Sequence, residues 1–174
     1  MVFRPGALIL AALGAALAVA IAGGVSGLAD VDWQVCLDQS DGSHPELLRV
    51  SDRPLAEQAR LVLHHMAETP WTALRSTRQL SLALILLALV YLPPLLLALP
   101  AALAQSGRTR ICFGLALVAL VATEVVLLLP PEHWHQCDRK GPQTFAIFVF
   151  APFIALVFAG GAIALRAIWG RNAR

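Results

Sequence analysis

The side chains best suited to chemistry in this chain lie inside and just after one apolar segment, residues 111–129: Glu124, His133, His135 and Cys137. At ~1.5 Å of helical rise per residue, a segment of this length crosses the ~30 Å of hydrocarbon in a bilayer. Glu124 is its one charged residue, and the histidines and the cysteine follow in a short polar loop. The sequence therefore predicts a carboxyl group inside a membrane and a group of possible metal ligands just outside it.

His133, His135 and Cys137 occupy alternate positions, so their side chains point the same way if the loop is extended. Imidazole and thiolate groups bind zinc or copper, and His64 or His65 would complete a set of ligands. The alternative is that the histidines are interface residues of a membrane-surface loop and that Cys137 is in a disulfide. Because a His-x-His pattern lacks the full ligand set of a closed metal site, we expect no cofactor, with zinc or copper as the alternative.

Two of the three cysteines, Cys36 and Cys137, fall in polar loops that we expect on the same, oxidising side of the membrane. A Cys36–Cys137 disulfide is therefore expected, and it would fasten the first pair of helices to the second. The chain-entropy model gives such a bond ~4–5 kcal/mol at most. A quinone-linked thiol oxidase is not expected, because the chain has no Cys-x-x-Cys pair.

Glu124 has no basic partner of its own, since no Lys, Arg or His lies in any predicted span. A charged carboxylate in hydrocarbon costs at least ~2.5–3.5 kcal/mol, so we expect the group to be neutral, paired or facing water. One interpretation is structural: a protonated Glu124 donates to the carbonyl of Phe148, which Pro152 leaves without its helical partner. The functional alternative is a proton- or cation-coupled carboxyl near the outer mouth of a helix bundle.

The composition is that of a polytopic membrane protein, with 58% hydrophobic and 14% charged residues, against roughly 25% charged residues in soluble domains. A net charge of +2 without a basic run argues against nucleic acid as a partner. The sequence has no Ser-His-Asp arrangement, no Gly-rich phosphate loop and no His-Glu-x-x-His helix, so it does not predict an enzyme. The expected partners are the lipid bilayer and a protein, either another chain or a second copy.

Four apolar segments predict one all-α domain over residues 1–174, an integral membrane four-helix bundle. The predicted spans are residues 7–29, 80–103, 111–129 and 143–165. We expect the helices to kink or break at Pro93, Pro94 and Pro152.

The first span carries small residues at every fourth position, which let helices approach closely in lipid. They form two neighbouring faces, with Ala16, Ala20 and Gly24 on one and Gly23 and Gly27 on the other. A cleaved signal peptide is the alternative, because residues 18–20 resemble a cleavage site. The apolar run exceeds the ~7–15 residues of a signal-peptide core, so we favour a membrane span.

Residues 30–78 form the predicted extracytoplasmic cap, the first loop of the protein. Apolar residues recur at helical spacing from Leu55 to Met66, with charged residues on the other side, so the loop should contain a short amphipathic helix. Thr69 and Pro70 are expected to end it. The helix would lie on the membrane surface or cover the end of the bundle.

Basic residues in short loops mark the cytoplasmic face of a membrane protein. Four spans place both termini on one side, together with six arginines and no acidic residue: Arg4, Arg108, Arg110, Arg166, Arg171 and Arg174. We therefore expect a protein of the bacterial plasma (inner) membrane with cytoplasmic N and C termini. Loops 30–78 and 130–142, which hold all five histidines, are then extracytoplasmic.

The small-residue faces, the outer cap and the lack of a catalytic set predict a non-enzymatic membrane protein that acts through protein–protein contact. It would be an accessory subunit, or an immunity-type protein that blocks a pore-forming partner. The first alternative is a proton- or ion-coupled transporter or channel component that uses Glu124. The second is an extracytoplasmic metal-binding or redox protein that uses His133, His135 and Cys137.

Overall fold

The structure is a computed structural model that describes residues 5–40, 42, 50–76, 80–128 and 140–171. In these residues the chain is helical throughout, apart from short turns. Five α-helices are present there: α1 (Pro5–Ser40), α2 (Leu55–Ser76), α3 (Leu80–Leu103), α4 (Gly107–Leu128) and α5 (Lys140–Arg171). A 3₁₀ turn, Val50–Asp52, precedes α2. The predicted all-α class is confirmed.

Three helical segments of the described chain are long and apolar enough to cross a membrane: Pro5–Cys36, Gly107–Leu128 and Val149–Gly170. They lie in α1, α4 and α5. Helix α3 has the bounds predicted for the remaining span, 80–103, and contains the shorter apolar segment Ala88–Leu103. Length and composition thus support a membrane protein with at least these three crossing helices.

Helix α1 is longer than its predicted span of 7–29 and continues to Ser40. Its 36 residues extend over ~54 Å at ~1.5 Å per residue, well beyond ~30 Å of hydrocarbon. No glycine or proline occurs between Leu28 and Ser40 to end the helix. The first part of the predicted cap loop is therefore a helical extension, and Gly42, with φ of 77°, lies in the turn that follows.

The bounds of α2 and α5 also differ from prediction. Helix α2 continues past Pro70 to Ser76, because a proline removes only one backbone hydrogen bond and need not end a helix. Helix α5 begins at Lys140, inside the predicted loop 130–142, and ends at Arg171 instead of residue 165. Pro142 falls in its first turn, where proline is tolerated.

The prolines within α3 do not interrupt it, so the predicted break is absent. The helix is continuous through Pro93, Pro94 and Pro100, and α5 is continuous through Pro152. Pro93 is one of the most completely buried side chains. Its ring therefore serves as a packing group in the helix interface, and the kinks at Pro93, Pro94 and Pro152 stay predictions.

One side of α4 forms the centre of the described core. Its buried residues recur about once per turn: Thr109, Cys112, Phe113, Ala116, Leu120, Glu124 and Leu128. The middle of this face packs with Leu97 of α3 and with Ala155 and Ala162 of α5. Its end packs with Ala22 and Val25 of α1. Helix α3 contacts α1, α4 and α5, whereas α2 packs chiefly against α1.

Candidate functional site

Glu124 lies on the buried face of α4, and only 8% of its surface is exposed. One turn before it, Leu120 belongs to the cluster with α3 and α5; one turn after it, Leu128 packs against α1. A helix places residues four apart on the same side, so Glu124 lies where these two apolar clusters meet. The carboxyl therefore faces the helix interface and not the lipid-exposed side.

The described surroundings of Glu124 offer its carboxyl group no polar partner. No hydrogen bond or ion pair joins it to another residue of the described chain, so the predicted bond to the Phe148 carbonyl is not observed there. The neighbouring hydroxyl of Thr123 donates to the Ala119 carbonyl at 2.8 Å. Such a carboxyl group can hold a proton, or bind a cation if water or a further ligand completes the site.

A second feature is the contact between α1 and α2, which two glycines make possible. A Cβ atom at Gly24 would lie 2.6 Å from Met66 Cγ and 3.1 Å from the Val62 carbonyl oxygen. A Cβ atom at Gly27 would overlap the imidazole ring of His65 and lie 2.6 Å from His65 Cβ. The small faces predicted in the first span do provide a close helix contact, and at Gly24 and Gly27 the partner is α2.

The segment before α2 is also fixed to the extension of α1. The Val50 N–H donates to Asp32 Oδ1 at 2.6 Å, which joins the 3₁₀ turn to α1. At the start of α2, Arg53 pairs with Glu57 at 3.1 Å, and Gln58 donates to the Arg53 carbonyl at 2.8 Å. We call α1 from Asp30 to Ser40, the 3₁₀ turn and α2 the cap.

The histidines of the predicted metal site are only partly described. His64 is exposed and lies 3.5 Å from Glu68, one turn away, whereas His65 packs against Gly27. The centres of the His64 and His65 rings are 5.5 Å apart, and the ring planes are tilted relative to each other. No group of three or more His, Cys, Asp or Glu side chains lies together within the described ranges. His133, His135 and Cys137 lie outside those ranges, so zinc or copper binding there stays a prediction.

The two described cysteines differ in their surroundings. Cys112 is a buried free thiol that packs against α3 and α5 in the core. Cys36 is partly exposed on the α1 extension, within the cap. Since Cys137 lies outside the described residues, the Cys36–Cys137 pairing also stays a prediction.

At the opposite end of the helices, arginines whose charge predicted the orientation of the protein make contacts that the sequence did not predict. Arg108 Nη1 donates to the Trp169 carbonyl at 3.3 Å, and the Arg108 guanidinium lies 6.0 Å from the centre of the Trp169 ring. Arg110 Nη2 donates to the Ala104 carbonyl at 3.2 Å. Two arginines at the start of α4 thus bind carbonyls at the ends of α5 and α3. We call Arg108, Arg110, Arg166 and Trp169 the arginine end.

Comparison with known proteins does not supply a family. No protein-family model, no curated protein and no solved structure matches this chain. Its function is therefore inferred from the residues and their contacts.

Proposed function

We propose that this chain is a four-span membrane protein that acts through protein–protein contact, as an accessory subunit or an immunity-type protein, without catalysis. The observation that carries the proposal is the cap. Helix α2 is held on α1 by contacts that exclude even a methyl group at Gly27, and its opposite side is exposed. A fixed helix with a free face is suited to recognition.

In the proposed topology, α1, α3, α4 and α5 form a four-helix bundle across the bacterial plasma membrane. Support comes from α3, whose 24 residues extend over ~36 Å at ~1.5 Å per residue. The arginine end contains no acidic residue among the residues described there. By the positive-inside rule this end is cytoplasmic, so both termini are cytoplasmic and the cap and the loop 130–142 are outside.

The exposed side of α2 has the mixed character of a protein-binding surface. Val62 and Met66 turn toward Gly24 of α1, whereas Leu55 and Leu63 are 82% and 65% exposed. Charged residues lie beside the two leucines: Glu57, Arg60, His64 and Glu68. Apolar anchors beside charged groups favour a protein partner outside the bilayer over a purely lipid contact.

Site-specific photo-crosslinking in intact cells tests the partner. A benzophenone residue at Leu63 should give one discrete adduct, and a Leu55→Glu change should reduce its yield at least fivefold. The same probe at Leu115, an exposed α4 residue, is the matched control and should not give that adduct. An adduct of twice the 18.6 kDa chain would identify a second copy as the partner, whereas lipid adducts alone would contradict the proposal.

We also propose the Cys36–Cys137 disulfide as a covalent link between the cap and the loop 130–142. Support comes from the surroundings of the two described cysteines: Cys112 is a buried free thiol in the core, whereas Cys36 is partly exposed in the cap. Because Cys112 is buried in the core, Cys137 is the candidate partner of Cys36 among the three cysteines of the chain. This pairing would fasten the cap over the outer end of the bundle.

Thiol counting in denatured protein checks the disulfide. Without reductant, one thiol should react with a maleimide reagent; after reduction, all three cysteines should react. A Cys112→Ser variant is the control and should show no reactive thiol before reduction. Cys36→Ser should leave Cys137 as a second reactive thiol without reductant, and it should lower the free energy of unfolding by ~2–5 kcal/mol. Three reactive thiols in unreduced wild-type protein would refute the pairing.

Glu124 supports a second candidate function, a proton- or ion-coupled transporter or channel component. The supporting observation is the position of Glu124: the residue is 8% exposed, it lies between apolar clusters, and its carboxyl group has no polar partner among the described residues. Such groups within membranes are often proton or ion sites. Ion flux into proteoliposomes that is lost in Glu124→Gln would favour this function over protein contact.

A further inference from the structure

The arginine end combines fixed positive charge with exposed apolar surface. Arg108 lies between the start of α4 and the last turns of α5, where the Trp169 carbonyl and ring hold its guanidinium in place. A guanidinium carries five N–H donors, and the one described hydrogen bond of Arg108 leaves the others available. The positive charge of Arg108 is therefore held beside Trp169, and no described carboxylate neutralises it.

Further positive charge surrounds Arg108. Arg166 lies one turn before Trp169 on α5, is exposed, and makes no hydrogen bond or ion pair with a described residue. Arg110 is also exposed. The first turn of α4, which begins at Gly107, adds the positive end of a helix dipole. All of these groups favour an anion.

Directly next to these charges the helix surfaces are apolar and exposed. On α4, Ile111 is 50% exposed; on α5, Leu165 is 45% and Ile168 is 58% exposed. A small soluble anion would make no contact with this apolar surface. A folded protein would have to enter the bilayer to cover it. A phospholipid matches both parts, because its phosphate meets the arginines while its acyl chains lie along the apolar residues.

We propose that the arginine end binds the headgroup of an anionic phospholipid between α4 and α5. Arg108 and Arg166 bind the phosphate, and Trp169 lies at the level of the headgroup. The site depends on the proposed membrane topology but not on a protein partner, because the cap lies at the other end of the helices.

Native mass spectrometry of the full chain in detergent tests the site. Dioleoyl phosphatidylglycerol should remain bound at several-fold higher occupancy than dioleoyl phosphatidylcholine. Removing one basic residue near a membrane surface weakens anionic lipid binding about fivefold, so Arg108→Gln plus Arg166→Gln should remove most of the preference. Arg60→Gln, an exposed arginine in the cap, should leave it unchanged.

Two further measurements separate lipid binding from misfolding and from binding of free phosphate. Arg166→Gln alone removes a side chain with no described polar contact, so its folding should be intact, and it should still weaken phosphatidylglycerol binding about fivefold. Inorganic phosphate in excess should not displace the lipid, because it lacks the acyl chains. Equal retention of both lipids by the wild-type protein, or an unchanged preference in the double variant, would overturn the proposal. Neither outcome bears on photo-crosslinking at Leu63.

Discussion

Replacing Gly27 with alanine is expected to disrupt the packing of α2 on α1 and to lower the free energy of unfolding by about 1–3 kcal/mol. The added methyl group would overlap the imidazole ring of His65 and lie 2.6 Å from His65 Cβ. Because Cβ is bonded to the backbone, this contact cannot be relieved by a side-chain rotation. One of the two helices has to move, and the face of α2 that we propose for recognition moves with it.

Thermal unfolding of the purified protein in detergent measures this effect, and three variants calibrate it. Gly161→Ala is the matched control, because the added methyl group would have no described atom within 4 Å apart from the nearby backbone of its own helix. Gly24→Ala should lower the melting temperature less than Gly27→Ala, because Met66 Cγ belongs to a flexible side chain that can move away. Some loss is still expected, because the Val62 carbonyl oxygen would lie 3.1 Å from the added methyl group. Gly27→Ala combined with His65→Ala should recover part of the lost stability.

Equal melting temperatures for Gly27→Ala and Gly161→Ala would contradict the contact between α1 and α2. A loss of stability that His65→Ala does not relieve would place the cause elsewhere, for example in the lipid contacts of α1. The Leu63 photo-crosslink adds a functional measurement. Its yield should fall in Gly27→Ala and return in the double variant if the position of α2 controls recognition.

The membrane helices were predictable where an apolar run and the helix coincide. Helix α3 has its predicted bounds, 80–103, and α4 differs from its predicted range by a few residues. Helices α1 and α5 are longer than predicted because hydropathy marks only the part of a helix that lipid covers. Helical hydrogen bonding can continue beyond the apolar segment until a helix-ending residue or cap is reached. In α1 it continues from Leu28 to Ser40.

The sequence predicted which residues form the candidate sites at Glu124 and the first-span glycines, but not which residues they contact. A lone carboxylate in an apolar segment predicts a buried group, and Glu124 is buried. The glycines of the first span indicated close packing, but only the tertiary structure shows that Gly27 meets His65. Arg108 and Trp169 are 61 residues apart, so their contact has no local signal beyond the frequency of both residue types at membrane interfaces.

Glu124→Lys is expected to destabilise the protein by about 3 kcal/mol or more, whereas Glu124→Gln and Glu124→Leu should fold. A lysine at this position would bury a positive charge between the Leu120 and Leu128 layers, with no described carboxylate to pair with it. Glutamine keeps the size and the hydrogen-bonding capacity of a protonated carboxyl group. Leucine removes a buried polar group and should raise stability by about 1 kcal/mol.

Stability alone does not separate a structural carboxyl from a functional one, so the same variants are compared for proton flux. Proteoliposomes with an internal pH-sensitive dye report the response to an imposed pH gradient. If Glu124 carries protons, the wild-type protein and Glu124→Asp conduct, whereas the well-folded Glu124→Gln and Glu124→Leu proteins do not, because neither side chain titrates. Val126→Gln, which places an amide near the same depth on the exposed side of α4, should conduct like the wild type.

Wild-type flux no greater than that of empty liposomes would exclude proton transport by the isolated chain and leave protein contact as the function that the geometry supports. Flux that persists in Glu124→Gln would exclude this carboxyl group as the proton carrier. If Glu124→Leu is both more stable and inactive, the chain keeps a buried carboxyl group at a cost in stability, as expected for a residue retained for function.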